Sequence, residues 1–145
     1  MVLFRTAAPG WSRILAVLLV IWGLIGFGGF VADRLMTPDM VAEMSDYDRQ
    51  FRADQPAWTV WAYGIATTTG LLGGVALLTR RRIARALYLV SLVSAAILFG
   101  YILSVTNIIA AKGFWTAAGL PIVIILIGAF AVWLSGHAAR RGWIG

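Results

Sequence analysis

The sequence predicts an all-α integral membrane protein, a bundle of four transmembrane helices. Three observations carry this: 61% of its 145 residues are hydrophobic, four long apolar runs recur along the chain, and every acidic residue lies between Asp33 and Asp54. A helix crosses a hydrocarbon layer with about 20 residues. The runs 14–32, 57–79, 83–106 and 114–135 each meet that length and together use nearly the whole chain, so a single membrane domain is expected, with 33–56 as a cap on one face. A soluble bundle would need a polar stripe on each helix. The stretch Leu-Ala-Val-Leu-Leu-Val-Ile-Trp-Gly-Leu-Ile, residues 15–25, has none.

Charge sets the expected orientation, because basic residues are retained on the cytoplasmic side. Arg5, Arg13, Arg80, Arg81, Arg82, Arg85, Arg140 and Arg141 fall on one face, and Arg34, Arg49, Arg52 and Lys112 on the other with all six acids. The faces carry +8 and −2, which together make the formal +6. Both termini are therefore expected in the cytoplasm and the acidic excursion outside. The first run exceeds an ordinary signal-peptide core, so it is expected to stay attached. Absence of cysteine excludes disulfides and thiolate chemistry.

The first span opens with Trp11 and Arg13, an interfacial aromatic beside a headgroup-binding charge. Its glycines Gly23, Gly26 and Gly29 recur every three residues on one face, which suits close helix packing. In the cap, Thr37 before Pro38 and Asp39 is a helix start, and Ser45 before Asp46 and Asp48 a weaker one. Two short amphipathic helices are expected over 38–44 and 46–53. Asp39, Glu43, Asp46 and Asp48 form an extracytoplasmic acidic surface, read either as a cation-attracting or docking face or as a solvated loop. Their spacing matches neither a calcium loop nor a glycosidase pair.

The second span begins at Pro56, which suits a helix start, and continues with Trp58, Trp61 and Tyr63 as an aromatic belt. Ala66, Gly70 and Gly74 mark a small-residue face that packs either within the chain or against another. Threonines 67–69 can bond to carbonyls one turn back. Arg80, Arg81, Arg82 and Arg85 end the span and form, with Arg140 and Arg141, a surface for anionic headgroups. Membrane orientation explains this patch without a nucleic-acid partner.

The third span carries Tyr101 and Ser104 three residues apart; with Thr67 they are the residues to consider for a small polar pocket, set against ordinary bundle polarity. Lys112-Gly113-Phe114-Trp115 reads as a turn and an aromatic anchor, and Pro121 as a late helix start or shallow kink. His137 is expected at a helix C-terminus among headgroups.

No ionisable residue lies securely within a span, and no phosphate loop, HExxH motif or axial-histidine pair occurs. No catalytic residue, metal site or cofactor is assigned. Met36-Thr37-Pro38-Asp39-Met40, Gln55-Pro56-Ala57-Trp58 and the basic turn at 77–85 resemble segments of a family of small bacterial four-helix membrane proteins labelled hypothetical or putative sugar transporter. That resemblance implies a multi-pass protein of a bacterial inner membrane. The leading functional expectation is a structural or accessory protein that packs with itself as a homo-oligomer or with a larger membrane complex, contacting lipids. The alternatives are a component of a neutral-solute transporter and, below it, a membrane enzyme acting on lipid or quinone.

Overall fold

The structure, a computed structural model, describes residues 7–145; Arg5 lies outside them. Four long helices hold the apolar runs: α1 (Gly10–Arg34), α4 (Ala57–Leu78), α5 (Ile83–Val105) and α7 (Phe114–Arg140). At 25, 22, 23 and 27 residues, each is long and apolar enough to cross a membrane. Three short helices accompany them: α2 (Pro38–Ala42), α3 (Asp46–Asp54) and α6 (Ile108–Lys112). The cap helices lie where their start signals place them, with Thr37 Oγ1 accepting from Met40 N at 3.3 Å and Ser45 Oγ from Asp48 N at 3.2 Å. Helix α6 was not expected. It fills the turn before Gly113, whose φ of 87° and ψ of 155° lie where only glycine is comfortable. Helix α7 begins at Phe114 and continues past Pro121 as one element, so Pro121 does not mark its start.

The long helices pack in the order α1, α4, α5, α7, with α4 and α5 in the middle. Small residues set the α1–α4 contact. A Cβ on Gly23 would stand 2.8 Å from Leu71 Cα, one on Gly26 3.7 Å from Thr67 Cγ2, and one on Gly29 3.3 Å from the Tyr63 hydroxyl. A row of three-residue steps on α1 thus lies against four-residue steps on α4. Gly74 of α4 extends the row, its Cβ position 3.2 Å from the Val20 backbone. The adjoining face of α4 meets α5: Gly70 abuts Ser91 Oγ, Gly73 abuts the Tyr88 ring, and Ser91 Oγ donates to Ala66 O at 2.7 Å. The glycines Gly23, Gly70 and Gly74 are therefore in contact within the chain, on two different faces of α4.

The core is concentrated at the end bearing the arginines. Buried residues of α1 are Ser12, Ala16, Leu19 and Gly23, none beyond Gly23 near the middle of the helix. Ala16 and Leu19 join a cluster of Ala76, Leu77, Ala84, Tyr88, Ala131, Leu134, Ala138 and Ile144. Two helix ends here close in the same way. Arg81 N donates to Ala76 O and Arg80 N to Leu77 O, and Trp143 N donates to Ala138 O and Gly142 N to Ala139 O. Both are Schellman caps, with Arg80 (φ 63°) and Gly142 (φ 72°) in the left-handed position. The second cap turns the last residues back, so that Ile144 is buried, Gly145 N donates to Arg80 O and Arg80 Nε donates to Trp143 O at 2.7 Å.

These contacts separate glycines that hold the bundle from glycines that do not. Gly23→Ala is expected to cost about 1–3 kcal/mol, because its Cβ meets backbone that cannot rotate away. Gly28→Ala, whose Cβ would meet nothing within 4 Å, should be neutral or stabilising by up to about 1 kcal/mol. Unfolding in mixed detergent, read by circular dichroism, checks the pair; equal effects would refute this account of the α1–α4 contact.

Candidate functional site

The bundle is closed at its basic end and open above it. At the closed end an aromatic chain joins α7 to the start of α1: Trp133 stacks on His137 with centroids 5.1 Å apart, His137 meets the edge of Trp143 at 5.2 Å, and Trp143 meets Trp11 at 5.3 Å. Arg13, Arg81, Arg82, Arg85, Arg140 and Arg141 surround this end as exposed residues, and Arg80 is half-buried in the turn. His137 thus sits among indoles in the last helical turn.

At the acidic end α3 acts as a strap. Arg52 pairs with the Asp33 carboxylate and also donates to Asp33 O at 2.9 Å, fixing α3 to the end of α1. On the other side the Tyr47 hydroxyl donates to Asn107 Oδ1 at 3.0 Å, and Lys112 Nζ lies 2.8 Å from Asp48 Oδ1 and 5.5 Å above the Tyr47 ring. Of the acidic surface, Asp46 pairs with Arg49, and Asp39 and Glu43 are exposed on or beside α2. No group of three potential metal-ligating side chains occurs among the described residues.

Between the two ends lies a cavity of about 300 Å³ walled by all four long helices. Its floor, toward the basic end, includes Leu19, Tyr88 and Ala131; Trp22, Thr67, Ser91 and Phe99 line it further along. Its rim includes Ile25 of α1 and Leu120 of α7, which are 64% and 63% exposed. No Asp, Glu, Lys, Arg or His is among the lining residues. Helices α1 and α7 do not pack along their length. The rim therefore opens sideways, toward the hydrocarbon that surrounds four such helices in a membrane.

Of the three polar-pocket residues, only Thr67 reaches the cavity, and its hydroxyl is committed to Tyr63 O at 2.9 Å. Tyr101 packs edge-on against Trp58 at 4.9 Å, and Ser104 bonds back to Gly100 O. The structure does not bring these three together. Each serves its own helix or interface, because a hydroxyl in an apolar span is satisfied most cheaply by a carbonyl one turn back. Tyr88 and Ser91, which do line the cavity, follow the Ala84-to-Ala95 face of α5; their spacing of three was the available signal. Gly26 and Gly70 are also lining residues. No family model, curated protein or solved structure matches the chain, so the resemblance to small four-helix membrane proteins rests on the three short segments that carry it.

The strap has a pH limit. The Lys112 ammonium, and after it the Ser45 hydroxyl, hold the Asp48 carboxyl below its ordinary value of 3.8. A depressed carboxylate contributes stability above its unfolded pKa and loses it as pH falls through the folded one. Amide exchange in α3 is therefore expected to be constant from pH 7 to about pH 5 and to rise below about pH 4 once corrected for intrinsic rates. Lys112→Met at neutral pH should reproduce the rise; unchanged protection would show that this pair does not hold α3.

Proposed function

We propose that this chain is a small multi-pass membrane protein that takes an uncharged, lipid-soluble molecule into its helix bundle from the side and holds it there. The supporting observation is the cavity: apolar, with no Asp, Glu, Lys, Arg or His in its lining, and open between α1 and α7. Such a shape admits what diffuses within the bilayer and excludes charged solutes, whose desolvation nothing in the lining offsets. The reading assigns binding and positioning, with no chemical step. We place both termini on the cytoplasmic side of a bacterial inner membrane, since Arg13, Arg80, Arg81, Arg82, Arg85, Arg140 and Arg141 gather at one end.

A neutral-solute path, such as the sugar transport that the resemblance implies, would need converging hydroxyls; Thr67 and Ser104 bond back to their own helices, and of Thr67, Tyr101 and Ser104 only Thr67 lines the cavity. Association with itself or with a larger membrane complex is a compatible second role. Ile14, Leu18, Ile21 and Ile25 form a continuous exposed stripe on α1, available to lipid or to another helix.

Gly26→Leu tests the cavity. Residue 26 lines it and also faces α4, where an added Cβ meets only Thr67 Cγ2 at ordinary contact distance; leucine reduces the cavity, and an unchanged melting temperature of the variant checks that α1 keeps its seat on α4. Labelling by a decyl-tailed diazirine photoprobe in lipid nanodiscs is expected on cavity residues of the wild type and to fall at least about tenfold in the variant, the equivalent of ~1.4 kcal/mol. Equal labelling of both proteins, or labelling confined to the outer faces, would reject the reading.

A further inference from the structure

Gly136 of α7 is buried, and two arginines roof it. A Cβ there would stand 3.3 Å from Arg85 Nε, 3.6 Å from Arg85 Cδ and 3.6 Å from Arg140 Nη1, so guanidinium nitrogens from α5 and α7 both lie within 3.6 Å of one point. The missing side chain lets them meet there. Both arginines are exposed, so the pair is open to an occupant from outside. Two cations held side by side repel, and an anion that both can touch relieves the repulsion. No Asp or Glu supplies it. All six acidic residues lie between Asp33 and Asp54, toward the opposite end of the bundle, and the carboxylate ion pairs among the described residues are made with Arg34, Arg49, Arg52 and Lys112. Gly145 is engaged in the turn between α4 and α5, through Arg80 O and Arg82 N.

We infer that Arg85 and Arg140 form a clamp for the phosphodiester of an anionic phospholipid at the basic end of the bundle. A guanidinium presents planar N–H donors that match two phosphate oxygens, and two guanidiniums can hold one phosphate from both sides. What lies next along the helices makes the occupant a lipid. One turn from Arg85 into the span, Leu89 of α5 is 41% exposed, and two turns from Gly136 on the same face of α7, Ala129 is exposed as well. A phosphate in the clamp thus has apolar surface directly beneath it, where the acyl chains of its own molecule can lie. The head group carries no cation of its own, because Arg81 and Arg82 are also exposed at this end and repel an ammonium. Neither clamp residue lines the cavity. The inference therefore stands whatever the cavity holds.

The experiment titrates phosphatidylglycerol and phosphatidylcholine onto the full chain in a neutral detergent and counts bound lipid by native mass spectrometry. The wild type is expected to hold one phosphatidylglycerol about tenfold more tightly than Arg85→Gln or Arg140→Gln, the weight of a charge-assisted hydrogen bond. Arg13→Gln removes the same charge from the same end but on α1, and should lose less than about threefold, as a screened surface charge does. Phosphatidylcholine should bind all four proteins alike, and inorganic phosphate at the lipid's concentration should not displace phosphatidylglycerol. In nanodiscs, exchanging phosphatidylcholine for phosphatidylglycerol should raise the melting temperature of the wild type more than that of either clamp variant. That comparison is internal to each protein, so a variant that starts less stable still reports. Equal losses in all three variants would overturn the clamp, since they would show charge acting from the whole basic end. Displacement by inorganic phosphate would overturn the lipid as its occupant.

Discussion

The structure depends on how closely α4 can approach its neighbours. Between helices in hydrocarbon there is no hydrophobic driving force, since lipid tails are as apolar as leucine, and adhesion comes from packing and hydrogen bonds. Helix α4 has small residues on two faces. On one, Gly74 and the α1 glycines Gly23 and Gly26 bring the backbones together; on the other, Ala66, Gly70 and Gly73 receive Ser91 and Tyr88. The Ser91–Ala66 bond also satisfies a hydroxyl that would otherwise be stranded in an apolar layer. Helix α7 meets side chains and no neighbouring backbone at its glycines: a Cβ on Gly128 would stand 3.0 Å from Leu92 Cδ1, one on Gly136 3.3 Å from Arg85 Nε, and one on Gly119 would meet nothing within 4 Å. The bundle is accordingly tight through α1, α4 and α5 and loose between α7 and α1.

That imbalance makes the wedge, and two devices keep it from collapsing or falling open. At the basic end the returning segment inserts Ile144 into the core and sets Trp143 between His137 and Trp11. At the acidic end α3 is pinned to α1 through Arg52 and Asp33 and to the α5–α7 connection through Tyr47, Asp48, Asn107 and Lys112. Both ends of the α1–α7 gap are thus bounded by polar or aromatic contacts, with unfilled apolar space between them. The ion pairs of the strap are partly exposed, where an isolated pair contributes little. Their effect is geometric, setting the position of α3 across that end.

Much of this was legible from residue types. Four spans, the two cap helices and the segregation of charge follow from hydropathy, from Thr37 before Pro38 and from Ser45. The three-residue rhythm of Gly23, Gly26 and Gly29 already marks the face that meets α4. Other features depend on tertiary partners. Gly70 and Gly74 share a four-residue rhythm yet face different helices, because α4 is flanked on both sides and neighbouring rows of one helix diverge around its axis. Helix α6 escaped notice because five residues carry too little periodicity. The cavity was illegible because it is set by what α1 and α7 lack. Tyr88 is one of several hydroxyl-bearing residues in the third span, and only its burial against Gly73 separates it from Ser104 or Thr67.

The setting decides what such a cavity can recognise. In water, an apolar pocket gains affinity by removing ligand surface from solvent. A molecule entering from hydrocarbon gains little in that way, since it exchanges contact with lipid tails for contact with Leu19, Leu92 and Ile127. Selection then falls to shape and to whichever polar contact the lipid cannot supply. No Asp, Glu, Lys, Arg or His lines the cavity, so nothing there offsets the desolvation of a charged group, and that selection is confined to neutral molecules.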